Sequence, residues 1–518
     1  MMHSSKQTWL IYFFLVYVTA CLGTFVKPKP AANVNEPQQI HIGFGQRLTD
    51  IIILWSTKNN DSSVAEYYTG NTNSKAIKGE TIHFEGNPLG CQYLHRVYIS
   101  NLTPGKKYFY KVFGQDSDST SSQYSFTIPD VTKPLTYMIY GDLGLLSANL
   151  QFLKHEVILD PQKYSAIFHI GDIAYDLGSD GGRRGDKFLN AIQPMAAHVP
   201  YMTIPGDHEL FPGSKDHYRF RFSTPNAGWP MPMYQLWYSL DAGLIHFVCI
   251  STEVFFQDKD NIDRQMKWLE EDLEAVNEDR SKHPWIIVLG HRPMYCSVND
   301  NSEDCRKTDS VVRTRLEDVF YKYGVDLFIS GHQHLYERTY PVYKNKVLAF
   351  SNRNPRATIH FTVGSLGNQY LTEFSSKPGG PWSANVVSAM EMEIYGKVKA
   401  FNDTHLFWTA NKAMDNGVVD KAWIIQNQHG SFDQVVIPDP LGAAGKQWRK
   451  HNQEDDNTFI NLNFFYVDKD DYNTRVTVLM FTFIFLIFGI CFRKKILNSF
   501  RYCCINHDKC KNGQLIPM

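Results

Sequence analysis

The order of apolar and polar positions divides the central part of the chain into two regions. Between residues 38 and 127, short runs such as QIHIGFG, DIIILWST and KYFYKVFG alternate apolar with polar residues, and turns such as TPGKK separate them. Alternation with a period of two is typical of half-buried strands, and regularly spaced short strands favour a β-sandwich. The pattern therefore predicts an all-β domain, residues 33–130, in the style of a fibronectin type III sandwich.

From Leu135 onward, apolar strands alternate with amphipathic helices. Two sets of apolar residues keep helical spacing: Met266, Leu269, Leu273 and Val276, and then Val312, Leu316, Val319 and Phe320. Gly324 follows the second set and supplies a helix stop. Strands that alternate with helices predict an α/β (α+β) domain over residues 135–438.

Both ends of the chain carry targeting signals. The apolar run TWLIYFFLVYVTACLG follows Lys6 and closes with small residues, which predicts a secretory signal peptide over residues 1–23. A signal anchor that is not removed is the alternative. Residues 476–492 form an uncharged run between DKDD and RKK, which predicts a single C-terminal transmembrane helix with the large N-terminal part outside the cytoplasm.

These signals predict a single-pass type I membrane protein of the secretory pathway, at the plasma membrane or in endolysosomes. Residues 439–475 would form a juxtamembrane stalk, and residues 493–518 a cytoplasmic tail. A signal for a lipid anchor is an alternative, but the basic extension after the apolar run argues against it.

Cysteines and sequons fit an oxidising compartment. Cys296 and Cys305 bracket a short polar loop, and we pair them in a disulfide, which contributes roughly 2–3 kcal/mol on the chain-entropy model. Cys249 lies inside an apolar run and is predicted to be a buried free thiol. Plausible glycan sites are Asn60, Asn101 and Asn402.

Length and net charge limit the number of domains and the class of partner. The chain has 518 residues, enough for two or three domains, with 43% hydrophobic and 20% charged residues. Its formal net charge is -1, so no overall field attracts nucleic acid.

One device recurs in the α/β region: an apolar strand ends at glycine, and a potential metal ligand follows. The residues supplied in this way are Asp142, Asp172 with Tyr175, Asp207 with His208, His291, and His332 with His334. Taken singly each is an ordinary turn, and two histidines after a strand are ordinarily hydrogen-bonded loop residues. Because strand ends of an open α/β sheet gather along one edge, five of them together predict a metal site.

The series GDLG, GDIAYD, GDHE, GHRPMYC and GHQHLYERTYPVY resembles the purple acid phosphatases of the metallophosphoesterase superfamily. The likeness is greatest to the animal iron/zinc purple acid phosphatase-like proteins, and it spans residues 38–438. It implies a metallophosphoesterase β-sheet sandwich flanked by helices, behind the N-terminal domain. It also implies an acid phosphatase, a phosphoric monoester hydrolase that acts on phosphomonoester substrates.

The resemblance further implies a site for two metals. The residues that would hold the first metal are Asp142, Tyr175 and His334; Asp172 would bridge; and Asp207, His291 and His332 would hold the second. A Tyr175 phenolate is a hard anionic donor that favours Fe(III) at the first site. The imidazoles at the second site favour Zn(II), Fe(II) or Mn(II).

The implied reaction is in-line attack of a metal-bound hydroxide on phosphorus. His208 would be catalytic, binding the phosphate or protonating the leaving group, with a spacer behind the ligands as the alternative. We expect Glu337 and Arg338 to form a structural ion pair behind the ligand loop. His169 and Glu209 carry no assigned role.

One position departs from the family, which usually has Asn where this chain has Asp207. The carboxylate keeps an oxygen ligand but adds negative charge beside the substrate phosphate, which puts catalytic efficiency in doubt. Two function classes remain: the enzyme, and a membrane-anchored surface binding protein with a weakened or relic metal site. The complete set of candidate ligands favours the enzyme, and Tyr175 favours the purple subgroup over phosphodiesterases on the same scaffold. No motif indicates the physiological substrate or an oligomeric state.

Overall fold

The computed structural model describes residues 36–70, 73–86, 92–115, 119–298, 301, 303–367, 380–388 and 392–433. The predicted signal peptide, stalk, transmembrane segment and tail lie outside these residues. Within them, no helix is long and apolar enough to cross a bilayer.

The N-terminal region forms two antiparallel sheets of four strands each. Its strands are β1 (Gln38–Phe44), β2 (Ile51–Thr57), β3 (Ser63–Tyr68), β4 (Lys75–Lys78), β5 (Glu80–Phe84), β6 (Gln92–Ile99), β7 (Lys107–Gly114) and β8 (Tyr124–Thr127). The sheet orders are β1-β2-β6-β5 and β4-β3-β7-β8. Along β7 every second residue is buried, so Tyr108, Tyr110 and Val112 face the interior while their neighbours face outward. An N-terminal β domain is therefore present.

The second region contains fifteen strands and six α-helices within the described residues. The elements are β9 (Thr136–Tyr140), α1 (Asn149–Leu159), β10 (Ala166–Ile170), α2 (Arg183–Ala196), β11 (Tyr201–Ile204), α3 (Asp207–Leu210), α4 (Lys215–Arg221), β12 (Tyr238–Ala242), β13 (Ile245–Cys249), α5 (Ile262–Asn277), β14 (Trp285–Leu289), α6 (Val311–Tyr323), β15 (Leu327–Ser330), β16 (Leu335–Thr339), β17 (Val342–Tyr343), β18 (Lys346–Val347), β19 (Ile359–Val363), β20 (Ser383–Ser388), β21 (Ile394–Ala400), β22 (His405–Lys412) and β23 (Val418–Ile425). The helices at predicted positions, α5 and α6, are both present, and Gly324 ends α6 with a positive φ of 61°.

Two mixed sheets form the centre of this region, in the orders β11-β10-β9-β21-β22-β23 and β12-β13-β14-β15-β19-β16-β20. Neighbouring strands from β9 to β11, and from β13 to β15 and β19, run parallel. The sheets pack face to face, because Tyr137 and Phe168 of the first contact Phe247 of the second, with ring centroids 4.9 and 4.6 Å apart. Helices α1 and α2 cover the outer face of the first sheet, and α5 and α6 that of the second. The result is a mixed α/β sheet sandwich flanked by helices.

A buried arginine joins the N-terminal domain to the sheet sandwich. The Arg221 side chain is fully buried and donates to the carboxylate of Asp186 (2.7 Å) and to the side-chain oxygen of Gln39 in β1 (3.1 Å). A charge that has lost all contact with water is tolerated only when it is paired in this way. The pair therefore fixes β1 against the second region.

The cysteine predictions on described residues agree with the structure. Cys296 and Cys305 are bonded, and Cys249 is a buried free thiol. The three sequon asparagines, Asn60, Asn101 and Asn402, are all exposed and therefore accessible for glycosylation. Their glycosylation stays a prediction.

Candidate metal centre

Parallel strands deliver the candidate ligands to one edge of the two sheets. Asp142 follows β9, Asp172 follows β10 and Asp207 follows β11, all in the first sheet. His291 follows β14, and His332 follows β15, in the second. Because parallel strands all end on the same side, the loops after them meet where the two sheets face each other.

The glycines of this device are required by space. A Cβ at Gly331 would lie 2.5 Å from Oδ2 of Asp142, and one at Gly206 would lie 2.3 Å from Oδ1 of Asp172. Each distance is shorter than any non-bonded contact that carbon makes with oxygen. The chain therefore needs glycine at these positions to bring the carboxylates against the neighbouring loops.

Four of the candidate ligands also have left-handed backbone. Their φ values are 59° at Asp142, 52° at Asp172, 52° at Tyr175 and 64° at His332. Such conformations cost on the order of 1–3 kcal/mol each and persist where the surroundings hold them, which is often at functional sites. The strain turns these side chains into the space between the strand ends.

One group of ligands consists of Asp172, Asp207, His291 and His332. Each offers an atom within 4.8 Å of those of the others. Oδ1 of Asp207 lies 3.1 Å from Nε2 of His291 and 3.1 Å from Nδ1 of His332. His291 donates its other nitrogen, Nδ1, to the Ile170 carbonyl (2.9 Å), so Nε2 is left to face the carboxylates.

A second group consists of Asp142, Tyr175 and His334. The Tyr175 hydroxyl lies 3.3 Å from Oδ1 of Asp142 and 3.2 Å from Nε2 of His334, and His334 lies 3.4 Å from the same carboxylate oxygen. The two groups touch, because the His332 backbone N–H donates to Oδ2 of Asp142 (2.9 Å). His332 and His334 therefore face different groups.

The charges at the site call for a cation. Burial disfavours the charged form of His291, but the Asp172 and Asp207 carboxylates outweigh it and raise the pKa of His291 well above its usual value. Burial, with Asp142 and Asp172 nearby, raises the pKa of the Tyr175 hydroxyl well above 10. A Tyr175 phenolate would need a strong positive charge beside it, and hard oxygen donors with imidazoles form a fitting ligand set for such ions.

His208 lies beside the ligands and is oriented by a second carboxylate. Its Nδ1 donates to Asp176 (3.0 Å), and its Nε2 lies 3.9 Å from Oδ2 of Asp172. Burial opposes protonation, but Asp172 and Asp176 outweigh it and raise the pKa of His208. The ring packs edge-to-face against Tyr175 (4.8 Å) and Phe211 (5.2 Å), so it is held facing the site.

Four residues at the site had no predicted role there. Glu209 accepts the backbone N–H groups of Asp172 (2.7 Å) and Gly206 (3.0 Å), so it ties two ligand loops together. Asp176 orients His208, and the side chains of Arg292 and Glu303 contact His332. Asp176 stands in the GDIAYD motif and Arg292 in GHRPMYC, so those two could have been suspected, whereas nothing local marks Glu303.

The predicted ion pair between Glu337 and Arg338 is wrong, and His169, which had no assigned role, is a core residue. Glu337 and Arg338 do not pair with each other: Glu337 accepts from the Ser297 hydroxyl (2.6 Å), and Arg338 binds Asp420 (2.7 Å). They are adjacent in β16, and adjacent strand residues point to opposite faces. His169 is a core residue that hydrogen-bonds the Tyr201 hydroxyl (2.7 Å), and burial lowers its pKa to about 3.

Comparison with known proteins agrees with this geometry. Three family profiles match: purple acid phosphatase N-terminal domain at residues 37–128, calcineurin-like phosphoesterase at 135–336, and iron/zinc purple acid phosphatase-like protein C at 357–421. Acid phosphatase type 7 of Danio rerio is 36% identical, covering 76% of this chain and 93% of that protein. Acid phosphatase type 7 of Homo sapiens is 33% identical, covering 83% and 99%.

A solved structure shows the same architecture. Purple acid phosphatase PPD1 from yellow lupin seeds superposes with a TM-score of 0.67 and 26% identity, covering 76% of this chain and 75% of its own. Together with the family profiles, this likeness covers both domains. The chain therefore belongs to the purple acid phosphatase family of metallophosphoesterases and is a phosphatase by descent.

Proposed function

We propose that the protein is a binuclear-metal acid phosphatase that hydrolyses phosphate monoesters. The observation that carries the proposal is the convergence of two ligand groups that share one edge, Asp142, Tyr175 and His334 on one side and Asp207, His291 and His332 on the other. Asp172 would bridge the two metals, since its carboxylate lies 3.3 Å from Nε2 of His291 and its charge helps to raise the pKa of Tyr175 in the first group.

The donor types support Fe(III) in the first group and Zn(II), Fe(II) or Mn(II) in the second. Tyr175 becomes a ligand only as a phenolate, and a trivalent ion is the strongest available means of removing its proton. The second group offers two imidazoles, which suit divalent ions. When bound, such ions polarise the phosphoryl group and lower the pKa of the attacking water.

The protein's own groups complete the reaction. His208 lies beside Asp172, and Asp176 accepts its Nδ1 proton, so Nε2 is available to the substrate. We assign it to bind the phosphate or to protonate the leaving group. The raised pKa of His208 favours the protonated form at acid pH, which is the form that either role requires.

The charge of Asp207 is partly offset within the protein. Nη2 of Arg292 lies 3.4 Å from Oδ1 of Asp207, and two histidine nitrogens approach the same oxygen. Burial opposes the charged form, but the His291 and His332 contacts outweigh it and hold the pKa of Asp207 far below its usual range, which favours the carboxylate. It therefore opposes a phosphate dianion, less strongly than an isolated carboxylate would.

A membrane-anchored surface binding protein with a weakened site is the other candidate. It predicts incomplete metal loading and no turnover. We also retain the secretory, single-pass type I topology, with its lumenal or extracellular catalytic domain, as part of the proposal, because the terminal sequence signals support it.

The tail segment YCCI, residues 502–505, has the form of an endocytic signal. If it is one, replacing Tyr502 with Ala should raise the amount of this protein at the cell surface. An unchanged amount would leave plain plasma-membrane residence.

Metal analysis combined with an activity assay tests the proposal. The full-length protein is purified, its metals are counted, and p-nitrophenyl phosphate hydrolysis is measured from acid to neutral pH, with bis(p-nitrophenyl) phosphate as the diester control. We expect two metals per chain, one of them iron, and monoester hydrolysis that is fastest at acid pH. Loaded protein without hydrolysis, or protein that binds no second metal, would support the binding protein instead.

A further inference from the structure

Glu303 reaches the metal centre from a loop that a disulfide closes. It stands two residues before Cys305, whose sulfur is bonded to that of Cys296. Its carboxylate oxygen Oε2 lies 3.5 Å from Nε2 of His332, and about a third of the side chain, 30%, is exposed. The contact joins this loop to a ligand of the second group.

The two residues that follow Glu303 are firmly held. The next residue, Asp304, accepts the backbone N–H of Val311 (2.8 Å) and the hydroxyl of Ser310 (2.7 Å) at the start of α6. A carboxylate at a helix N-terminus is stabilised by the unsatisfied N–H groups there. The residues that follow Glu303 are thus fixed both by the start of α6 and by the disulfide.

The disulfide itself packs against the ligand loop. Cys296 and Cys305 are buried and form an apolar cluster with Val298 and Leu335. Leu335 follows His334 directly and begins β16. The bond that positions Glu303 therefore also supports the segment that carries both His332 and His334.

The chemistry of His332 gives the contact a role. Its Nδ1 faces Asp207 and the metal centre, while its Nε2 faces Arg292 (Nη1, 2.9 Å) and Glu303. A neutral imidazole that binds metal through Nδ1 carries its proton on Nε2. A guanidinium only donates hydrogen bonds, so Arg292 is a donor to Nε2 in the arrangement shown here. Once a metal binds Nδ1 and the proton lies on Nε2, Arg292 can no longer donate to that nitrogen, and of these two neighbours only the Glu303 carboxylate accepts the proton.

His291 shows the same requirement met differently. There the nitrogen that faces away from the site donates to a backbone carbonyl, that of Ile170, inside the sheet. That acceptor belongs to a buried strand, whereas the acceptor for His332 is a side chain on a cross-linked loop. Any influence of this loop on the second group would therefore act through His332 and not through His291.

We propose that Glu303 is a positioning residue for His332 and that the Cys296–Cys305 disulfide, by holding Glu303 in place, strengthens binding of the second metal. The proposal rests on the binuclear site proposed above. Carboxylate partners of metal-bound histidines typically contribute 10–100-fold in metal affinity, so we expect an effect of about tenfold or more.

The first test measures second-metal affinity in the full-length protein, with Zn²⁺ in competition with a chelator. Glu303→Gln and Glu303→Ala should weaken Zn²⁺ binding about tenfold or more, while the iron content and its visible band are retained. Asp309→Asn is the matched control, because it removes an exposed carboxylate from the same segment and should leave the affinity unchanged. Wild-type affinity in both Glu303 variants, or equal loss of iron and zinc, would overturn the proposal.

The second test asks whether the disulfide acts through Glu303. A Cys296→Ser, Cys305→Ser protein should bind Zn²⁺ more weakly than the wild type, without any reductant that would compete for the metal. Adding Glu303→Gln to it should cause little further loss, because coupled residues are not additive. Full additivity would show that the disulfide acts by another route.

These measurements separate the inference from the proposed function. A wild-type protein that binds both metals but hydrolyses no phosphate would refute the proposed function, and Glu303 would still be judged on Zn²⁺ affinity alone. If the variants turn over substrate at altered rates while their Zn²⁺ affinity is unchanged, the positioning role is refuted and the phosphatase stands.

Discussion

Two buried histidines, one in each domain, have pKa values that are shifted in opposite directions. His95 in the N-terminal sandwich is stacked on Trp55 (5.0 Å) and bonded to the hydroxyls of Thr57 (2.7 Å) and Ser63 (2.9 Å), and burial lowers its pKa to about 4. His291 at the metal centre is equally buried, but carboxylates raise its pKa well above the usual value. The neighbouring groups, and not burial alone, therefore decide the direction in which the pKa of a buried histidine shifts.

The two domains surround their buried histidines with different kinds of polar groups. In the sandwich, neutral hydroxyls satisfy the ring nitrogens of His95, which stabilises the neutral imidazole. The sheet edge of the second domain collects carboxylates around imidazoles and a phenol, an arrangement that is costly until a cation joins it. The sheet edge of the second domain, where carboxylates crowd together, is therefore the part of the molecule that is built to bind cations.

The largest expected effect comes from removing the bridging carboxylate. Asp172→Asn should lower kcat/KM for a monoester by about 10³-fold or more, because several kcal/mol of metal-dependent stabilisation are lost and each 1.36 kcal/mol is tenfold. Thr57→Val, beside His95, should leave kcat/KM unchanged. Steady-state kinetics with metal counts decides; an Asp172→Asn enzyme of near-normal activity would break the comparison.

A second histidine between carboxylates tests whether the charge pattern alone matters. His246 lies 2.7 Å from Asp241 and 3.0 Å from Asp272, and these carboxylates outweigh burial and raise its pKa to about 9. Its folded pKa exceeds the usual 6.5, so its stabilisation is complete below that pH and disappears as pH rises through about 9. The integrated effect on the free energy of unfolding is on the order of 3 kcal/mol.

His246→Gln should therefore lower the free energy of unfolding at pH near 6 and have little effect well above 9. Denaturant unfolding at both pH values measures this, with His83→Gln, a partly exposed histidine of the sandwich, as the control. A loss of the same size at both pH values would mean that packing, and not charge, explains the position.

The smallest expected effect concerns Asp207, whose carboxylate repels the negatively charged substrate phosphate. Asp207→Asn should lower KM by about two- to fivefold near neutral pH and less at acid pH, where the substrate monoanion predominates. Arg292 already offsets part of the repulsion, which keeps the gain small. KM against pH for both proteins, with metal content checked, is the measurement. An unchanged KM at neutral pH with both metals bound would make Asp207 a plain oxygen ligand.

The sequence predicted most of the frame because its signals are local. Five strands that end in glycine and a ligand imply a common edge, since parallel strands finish on the same side. The helical spacing around Leu269 and Leu316 gave α5 and α6. Strands β3, β4 and β5 were not among the strand patterns singled out, because β4 and β5 are sheet edges with mostly exposed residues.

The remaining site residues depend on contacts that sequence spacing does not encode. Glu303 meets His332 only because a disulfide and a helix start fix its loop, and Arg292 meets Asp207 only across the sheet edge. The Glu337–Arg338 pair was wrong for the opposite reason: the period of a strand already places neighbours on opposite faces.

The central claim is that two ligand groups hold two metals and that Tyr175 binds Fe(III) as a phenolate. The most direct measurement is the visible spectrum of the purified full-length protein beside that of Tyr175→Phe, with iron counted in both. We predict a broad phenolate-to-iron charge-transfer band that the wild type shows and the variant loses. A colourless wild type that contains iron, or a variant that keeps both iron and the band, would contradict the account.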